Sequence, residues 1–252
     1  MITLKSMWRS LTPIKFRTLV SRLRVAFSAS PMIIDPTYAD DGLVSQHVTD
    51  FLQDKKFIDS YNLAKTGGAL INHPGDIHFR AYIACWAAKY ASNLDGDYVE
   101  CGVGKALLSR TIVNYLDFEN LKKKFYLFDT FDGIPIKQSK NALESANMSY
   151  LNRTHFSSNY FEEINDTFKK YSNVFVVKGQ IPESFLNIEF GKVAYISIDM
   201  NNAFAEIEAI KYLWSKLIVG GVVVLDDYAY GKEFMAQKNA WDDYAIEKNS
   251  TY

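Results

Sequence analysis

Carboxylates close four of the five apolar runs that have the length and composition of β-strands. They are Glu100, Asp129, Asp199 and the pair Asp226 and Asp227. The carboxyl ends of parallel strands share one edge of a sheet, and ligands bind at that edge. Acidic groups gathered there repel one another, so the arrangement is costly unless a positive group binds among them. The pattern therefore predicts a ligand site rather than four separate helix caps.

The five acids divide into two groups with different chemistry. Glu100 and Asp129 close the first two predicted strands beside a glycine turn, where a carboxylate is suited to bind the hydroxyls of a ribose. Asp199, Asp226 and Asp227 close the fourth and fifth predicted strands. Three hard oxygen donors from neighbouring strand ends suit Mg²⁺, which keeps several water ligands and leaves room for a substrate oxygen.

A glycine turn joins the first predicted strand to the helix that follows it. Gly102 and Gly104 let the backbone approach a ligand, and the start of the helix offers unpaired N–H groups. This order of elements predicts a cofactor that carries an adenosine. Ser109, early in the helix, and Gly179, after the third strand, are further candidates for contact with that cofactor.

Two adenosine cofactors are compatible with a glycine turn of this kind. The nicotinamide fingerprint G-x-G-x-x-G needs a third glycine, but Leu107 stands at that position. An acid-x-Gly-x-Gly order, with Glu100 before the turn and Ala106 in the next small position, is instead the usual opening of an S-adenosylmethionine site in the seven-stranded methyltransferases. The turn therefore favours S-adenosylmethionine.

The elements that must position these residues alternate regularly after residue 96. Continuous apolar strands and amphipathic helices predict an α/β fold with a parallel sheet covered on both faces. The predicted strands are 98–101, 124–129, 174–178, 193–199 and 221–227, and the predicted helices are 105–116, 160–171, 203–217 and 232–248. Residues 130–155 are too long for a simple connector, and we expect part of a lid over the acceptor there.

The sequence divides by composition into a basic segment at 1–34, a helical extension at 35–95 and a core at 96–252. In the extension we predict helices at 38–53 and 57–65. Asp76 is placed to cap a third helix that runs to about Asn93. The apolar face of this third helix comprises Phe79, Ile83, Trp86, Ala87 and Tyr90.

The basic segment contains six Lys and Arg residues and no Asp or Glu. Between residues 14 and 27 its apolar side chains recur at helical spacing, which predicts a basic amphipathic helix. Three interpretations stay open. The helix packs on the domain or on a second copy in a homo-oligomer, or it lies on the inner face of a membrane, or it is a cleaved targeting peptide.

The bulk composition excludes several classes of function. A net charge of −1 gives no signature of nucleic-acid binding. No apolar run approaches the roughly 18–20 residues of a membrane span, and there is no secretory h-region, so we expect a cytoplasmic protein. Cys85 and Cys101 lie in apolar runs, which predicts buried free thiols in a reducing compartment.

Four separate blocks of the sequence resemble the macrocin and mycinamicin O-methyltransferase family. They are DYVECGV at 97–103, FDTFDGIP at 128–135, ISID at 196–199 and GGVVVLDDY at 220–228. The run YGKEFMAQKNAW at 230–241 is similar to a branch found among polysaccharide-biosynthesis genes. The resemblance extends over about residues 73–247, and the four blocks follow one another in the family's order.

The resemblance implies a Rossmann-like class I methyltransferase that uses S-adenosylmethionine and Mg²⁺ to methylate a sugar hydroxyl. Asp199, Asp226 and Asp227 match the family's metal-binding acids, and Asp199 also matches its base. The cofactor site is matched by Glu100, Gly102, Gly104 and Asp129.

Two positions depart from the family pattern. Asn201 stands where the family commonly has a second acid two residues after Asp199. The family's fold also continues into a closing antiparallel strand pair, whereas this sequence stops at Tyr252. We therefore expect the terminal strand pair to be missing, with the chain shortened at its C-terminus or the sheet edge covered by something else.

Several functional interpretations follow from these residues. The first is a sugar O-methyltransferase whose substrate is a sugar nucleotide or a glycan precursor. A second is methylation of a catechol or similar phenol, for which the same metal site would serve. A third is a catalytically degenerate binding protein. Arg80, in the helix before the first core strand, is suited either to an anionic substrate group or to a surface salt bridge.

Overall fold

A computed structural model describes residues 35–66, 75–156 and 159–248, so the basic segment at 1–34 lies outside the described residues. Its strands are β1 (Tyr38–Asp40), β2 (Leu43–Ser45), β3 (Asp97–Cys101), β4 (Phe125–Asp129), β5 (Val174–Lys178), β6 (Val193–Ile198) and β7 (Leu217–Leu225). The helices are α1 (Lys55–Lys65), α2 (His78–Ala91), α3 (Leu107–Leu116), α4 (Ala142–Thr154), α5 (Phe161–Phe168), α6 (Ala203–Leu213) and α7 (Met235–Glu247).

Five parallel strands form the central sheet in the order β5-β4-β3-β6-β7. This confirms the predicted α/β class and all five predicted core strands. From β3 the chain first adds strands on one side and then returns to add β6 and β7 on the other. The carboxyl ends of β3 and β6 therefore flank the switch point at which ligands bind in open sheets.

Both faces of the sheet are buried along its three central strands, β3, β4 and β6, as the apolar strands predict, whereas the edge strands β5 and β7 are mostly part-exposed. Phe125 and Leu127 of β4 belong to one apolar cluster, and the alternate residues Tyr126 and Phe128 belong to another on the opposite face. Cys85 and Cys101 are buried free thiols. None of the helices in the described ranges is long and apolar enough to span a bilayer.

The helix predicted at 38–53 is wrong, because this segment forms the antiparallel hairpin β1–β2. Asp41 and Gly42 make its two-residue turn, and both have positive φ values, 52° and 76°. Asp-Gly is a strong signal for such a turn, so the local sequence carried the information. The helix predicted at 57–65 is present as α1.

Four of the five residues of the predicted apolar face of α2 are exposed, with Ala87 as the buried exception, and the predicted cap of α2 is wrong. Phe79, Ile83, Trp86 and Tyr90 are 38–57% exposed, whereas Ala81, Ala84, Cys85, Ala87 and Ala88 form the buried face. Small side chains allow this helix to approach α3, β6 and β7 closely. Asp76 does not cap the helix, since its carboxylate accepts hydrogen bonds from Tyr61 and Lys65 of α1.

The long connection at 130–155 contains α4, which the sequence analysis did not predict. Asn141 caps this helix by accepting a hydrogen bond from the N–H of Glu144 at 3.0 Å, and the Glu144 side chain accepts one from the N–H of Lys140. The N-x-x-E spacing of a capping box was the available signal. Beyond β7, the described residues add no further strand to the sheet.

Candidate active site

A cavity of about 430 Å³ opens at the carboxyl edge of the sheet. Both predicted groups of residues line it, so the fold brings them into one space. The cofactor candidates that line it are Glu100, Gly102, Gly104, Asp129 and Gly179, and the metal candidates are Asp199, Asp226 and Asp227. Ser109 is buried away from the cavity and does not line it.

The glycine turn after β3 is held between two acids. Gly102 has a φ of 87°, and a Cβ there would lie 1.8 Å from the carbonyl oxygen of Asp199, so only glycine fits. Asp129 Oδ2 accepts hydrogen bonds from the N–H groups of Val103 and Gly104, both at 2.8 Å. Asp129 therefore fixes the shape of the turn, and its predicted contact with a ribose stays a prediction.

Glu100 is one of the two acids beside the glycine turn, and one of its carboxylate oxygens has no hydrogen-bond partner among the described residues. Its Oε1 accepts a hydrogen bond from Ser109 Oγ at 3.1 Å, while its buried Oε2 has no partner. Burial raises the pKa of Glu100 to about 8. Ser109 thus orients Glu100 from outside the cavity. The position of Ser109 does not support the direct cofactor contact that we predicted for this serine.

Gly179 continues the pairing of β4 with β5 to the edge of the cavity. Its N–H donates to the carbonyl oxygen of Asp129 at 2.9 Å. This bond places the loop after β5 beside the glycine turn, which is compatible with the predicted cofactor contact of Gly179.

Asp199, Asp226 and Asp227 form an acid trio in which one oxygen of each lies within 4.8 Å of the others. Adjacent strand ends position them, since the N–H of Asp226 donates to the carbonyl oxygen of Ile198, the last residue of β6, at 3.1 Å. Burial and then repulsion from Asp226 raise the pKa of both Asp199 and Asp227, and burial raises that of Asp226.

The acid trio fits a divalent cation. It supplies three hard oxygen donors, and Asp227 Oδ2 is buried without a hydrogen-bond partner. An unpaired buried carboxylate oxygen is costly unless a cation or hydrogen-bond donor binds it. Carboxylates with room for water ligands are the donors that Mg²⁺ prefers.

Arg80 of α2 connects the acid trio to the hairpin. It donates to Asp226 through Nη1 and to Asp41 through Nε at 2.9 Å and Nη2 at 3.1 Å. Its guanidinium carbon lies 5.3 Å from the centroid of the Tyr230 ring. The Arg80 side chain is only 24% exposed, so the predicted surface salt bridge is instead a largely buried bridge between two acids.

Asn201 adds a neutral donor to the acid trio. Its backbone φ is 53°, and its Nδ2 donates to Asp199 Oδ1 at 3.2 Å. An aspartate at this position would place a fourth carboxylate beside three others. The amide therefore orients Asp199 without adding negative charge.

The cavity is also lined by neutral polar and aromatic side chains that no sequence pattern had singled out. They include Gln138, Asn147, Tyr150, Asn202 and Phe234. Asn202 caps α6 by accepting from the N–H groups of Phe204 and Ala205, and it donates to Gln138 Oε1 at 2.6 Å. The cap was recognisable from the sequence, but the contact across 64 residues was not.

A parallel sheet with a glycine turn and an acid trio on one ligand cavity defines an α/β enzyme with a Rossmann-like site. The model of the macrocin O-methyltransferase (TylF) family matches residues 74–251. This chain belongs to that family and is an O-methyltransferase.

Among solved structures, the chain is similar to methyltransferases, and NovP shares its fold. The O-methyltransferase NovP has 22% identity and a TM-score of 0.57, covering 68% of this chain and 72% of that chain. The calicheamicin methyltransferase CalS11 has 13% identity and a TM-score of 0.49, covering 78% and 85% of the two chains. The S-adenosylhomocysteine-bound PaMTH1 of Podospora anserina has 10% identity and a TM-score of 0.47, with 77% and 79% covered. No curated protein matches the sequence.

Proposed function

We propose that this O-methyltransferase moves a methyl group from S-adenosylmethionine to a sugar hydroxyl, with Mg²⁺ held by Asp199, Asp226 and Asp227. The observation that carries the proposal is that the glycine turn and the acid trio share one cavity. A cofactor at the turn and an acceptor at the trio would meet at the switch point of the sheet.

The cofactor half would bind S-adenosylmethionine at the glycine turn. Gly102 and Gly104 allow close approach of the backbone, and Glu100 Oε2 is available to a ligand hydroxyl. Asp129 and Gly179 border the same part of the cavity. When bound, S-adenosylmethionine would supply the methyl carbon, and cleavage of its sulfur–methyl bond would leave S-adenosylhomocysteine as the second product.

Asp199 is our candidate for the catalytic base. It accepts the proton of the acceptor hydroxyl as that oxygen forms its bond to the methyl carbon. Asn201 holds Asp199 Oδ1 in place. A bound Mg²⁺ supplies positive charge that makes a nearby hydroxyl easier to deprotonate.

The acceptor half favours a sugar over a flat phenol. Asn147 offers an amide for sugar hydroxyl groups, and Tyr150 and Tyr230 offer rings for a sugar face, whereas the amides of Gln138 and Asn202 are paired with each other. Together with the family-branch resemblance of residues 230–241, this supports a sugar nucleotide or glycan precursor of polysaccharide biosynthesis. A cytoplasmic location, with 1–34 on the inner membrane face, remains part of this proposal.

The test incubates the full chain with S-adenosylmethionine, Mg²⁺ and separate panels of nucleotide sugars, simple glycosides and catechols, with mass spectrometry of the products. We expect a methylated sugar, and none when EDTA replaces Mg²⁺. A methylated catechol without any methylated sugar would support the phenol alternative. Cofactor binding by calorimetry without turnover on any panel would indicate a degenerate binding protein.

A further inference from the structure

Arg80 contacts two acids from different parts of the chain, with a different number of hydrogen bonds to each. Asp41, in the turn of the hairpin, accepts two hydrogen bonds from the guanidinium, whereas Asp226 of the acid trio accepts one, from Nη1. The bonds span 39 and 146 residues respectively. Arg80 and Tyr230 also line both the main cavity and a smaller one of about 260 Å³ beside the hairpin.

We infer that Arg80 is a built-in counter-cation that shares Asp226 with the metal ion and sets the metal affinity of the acid trio. In the metal-free enzyme Arg80 compensates the charge of Asp226. When a divalent cation binds, Arg80 gives up this carboxylate and keeps its pair with Asp41. The inference rests on the proposed metal site and adds that Arg80 competes with the metal ion for Asp226.

The geometry of the guanidinium suits such an exchange. Arginine presents its donors in a rigid planar fork, and here two of them form a bidentate pair with Asp41. The single bond to Asp226 can break without disturbing that pair. The Tyr230 ring, 5.3 Å from the guanidinium carbon, supports the plane in either case.

Burial makes the charge of Arg80 effective at the acid trio. The side chains of Arg80, Asp41 and Asp226 are 24%, 10% and 4% exposed, so water and salt screen this bridge poorly. A positive charge held in contact with one member of the trio disfavours a second cation there. Asp41 reduces this effect because its carboxylate pairs with the same guanidinium and offsets part of the positive charge that acts on Asp226.

A different role for Arg80 would be to orient Asp226 for the metal, as outer partners of metal ligands commonly do. The two roles predict opposite signs. If Arg80 competes, its neutralisation strengthens metal binding and loss of Asp41 weakens it. If Arg80 orients, both changes weaken metal binding because both loosen Asp226.

The experiment titrates Mn²⁺ into the full chain and follows the free ion by electron paramagnetic resonance. We expect Arg80→Met to bind Mn²⁺ about tenfold more tightly than wild type and Asp41→Asn to bind it several-fold more weakly, within the range of coupled sites. Arg80→Lys keeps the charge and should stay close to wild type. Lys65→Met is the matched control: it breaks the salt bridge between Lys65 of α1 and Asp76, and the affinity for Mn²⁺ should stay that of wild type.

Each outcome decides the inference. Weaker binding in both Arg80→Met and Asp41→Asn, or unchanged binding in both, overturns it while leaving the proposed metal site intact. Absence of Mn²⁺ binding in wild type with binding in Arg80→Met supports it. Absence of binding in both proteins removes the metal site itself and the inference with it.

Thermal unfolding gives a second measurement that does not depend on activity. In EDTA, Arg80→Met should unfold at a lower temperature than wild type because the acid trio loses its counter-cation. Saturating Mn²⁺ should then raise its Tm by more than it raises that of wild type. An equal rise in the two proteins would contradict competition, even if Arg80→Met is too unstable for titration at room temperature.

Discussion

Asp129 and Asp226 occupy similar positions, each at the end of a strand of the same sheet, but their carboxylates are stabilised differently. Backbone N–H groups of Val103, Gly104 and Phe131 surround Asp129. Asp226 faces other carboxylates and is compensated by Arg80. The proposed cofactor half is therefore organised by backbone donors of the chain itself, whereas the proposed acceptor half carries negative charge that Arg80 pairs with only at Asp226.

Asp199→Asn should have the largest effect, because it should lower turnover without changing cofactor affinity. Loss of the proposed base and metal ligand should lower turnover about 1,000-fold or more, because general base catalysis alone contributes about 10²–10⁴-fold. Cofactor affinity, measured by calorimetry, should stay near that of wild type. Near-normal turnover at saturating Mg²⁺ would show that Asp199 is not the base.

Gly102→Ala tests the close contact between the glycine turn and the backbone of Asp199. The new Cβ would overlap the carbonyl oxygen of Asp199, so we expect the free energy of unfolding to fall by roughly 3 kcal/mol or more, in the range of severe single substitutions. Chemical denaturation measures this loss. Gly191→Ala is the matched control, since nothing lies within 4 Å of a Cβ there. Similar stability of the two variants would contradict the contact.

The free energy of unfolding should depend on pH through both Glu100 and the acid trio, and only the contribution of the acid trio should respond to Mg²⁺. Burial raises the pKa of Glu100 from 4.5 to about 8, so the folded protein keeps a proton that the unfolded chain has lost. The free energy of unfolding should therefore fall as pH rises from about 4.5 to about 8. Glu100→Gln should flatten this slope with or without Mg²⁺.

Mg²⁺ should remove a different part of the same slope. The acid trio also has raised pKa values, and a bound cation would stabilise its charged form. Denaturation at several pH values, with EDTA and with Mg²⁺, measures both parts. If Mg²⁺ left the slope of the Glu100→Gln protein unchanged, the acid trio would not be the part that needs a cation.

The smallest expected effect comes from Asn201→Asp, which restores the acid common in the family. The change replaces a hydrogen bond to Asp199 with repulsion, so metal-free stability should fall by about 1 kcal/mol. Metal affinity should rise a few-fold because negative charge is added. Asn120→Asp at an exposed position serves as the control. Higher metal-free stability of Asn201→Asp would mean that the trio carries no excess charge.

Local patterns predicted the sheet and its acidic strand ends well, because each core strand is a continuous apolar run and carboxylates close four of the five runs. Long-range contacts were not predictable in this way. The partners of Arg80 lie 39 and 146 residues away, and only the fold brings them together. In α2, large apolar residues at helical spacing suggested the buried face, but close packing selected the alanines instead.

The alanine face of α2 has a consequence for ion selectivity. Ala84 is 1% exposed and lies one helical turn after Arg80, on the buried face of this helix. A larger side chain there would lift the helix and carry the guanidinium with it. Mg²⁺ and Ca²⁺ differ in oxygen distance by only about 0.3–0.5 Å. At the proposed metal site, a residue that never touches the ion would therefore tune which of the two ions binds.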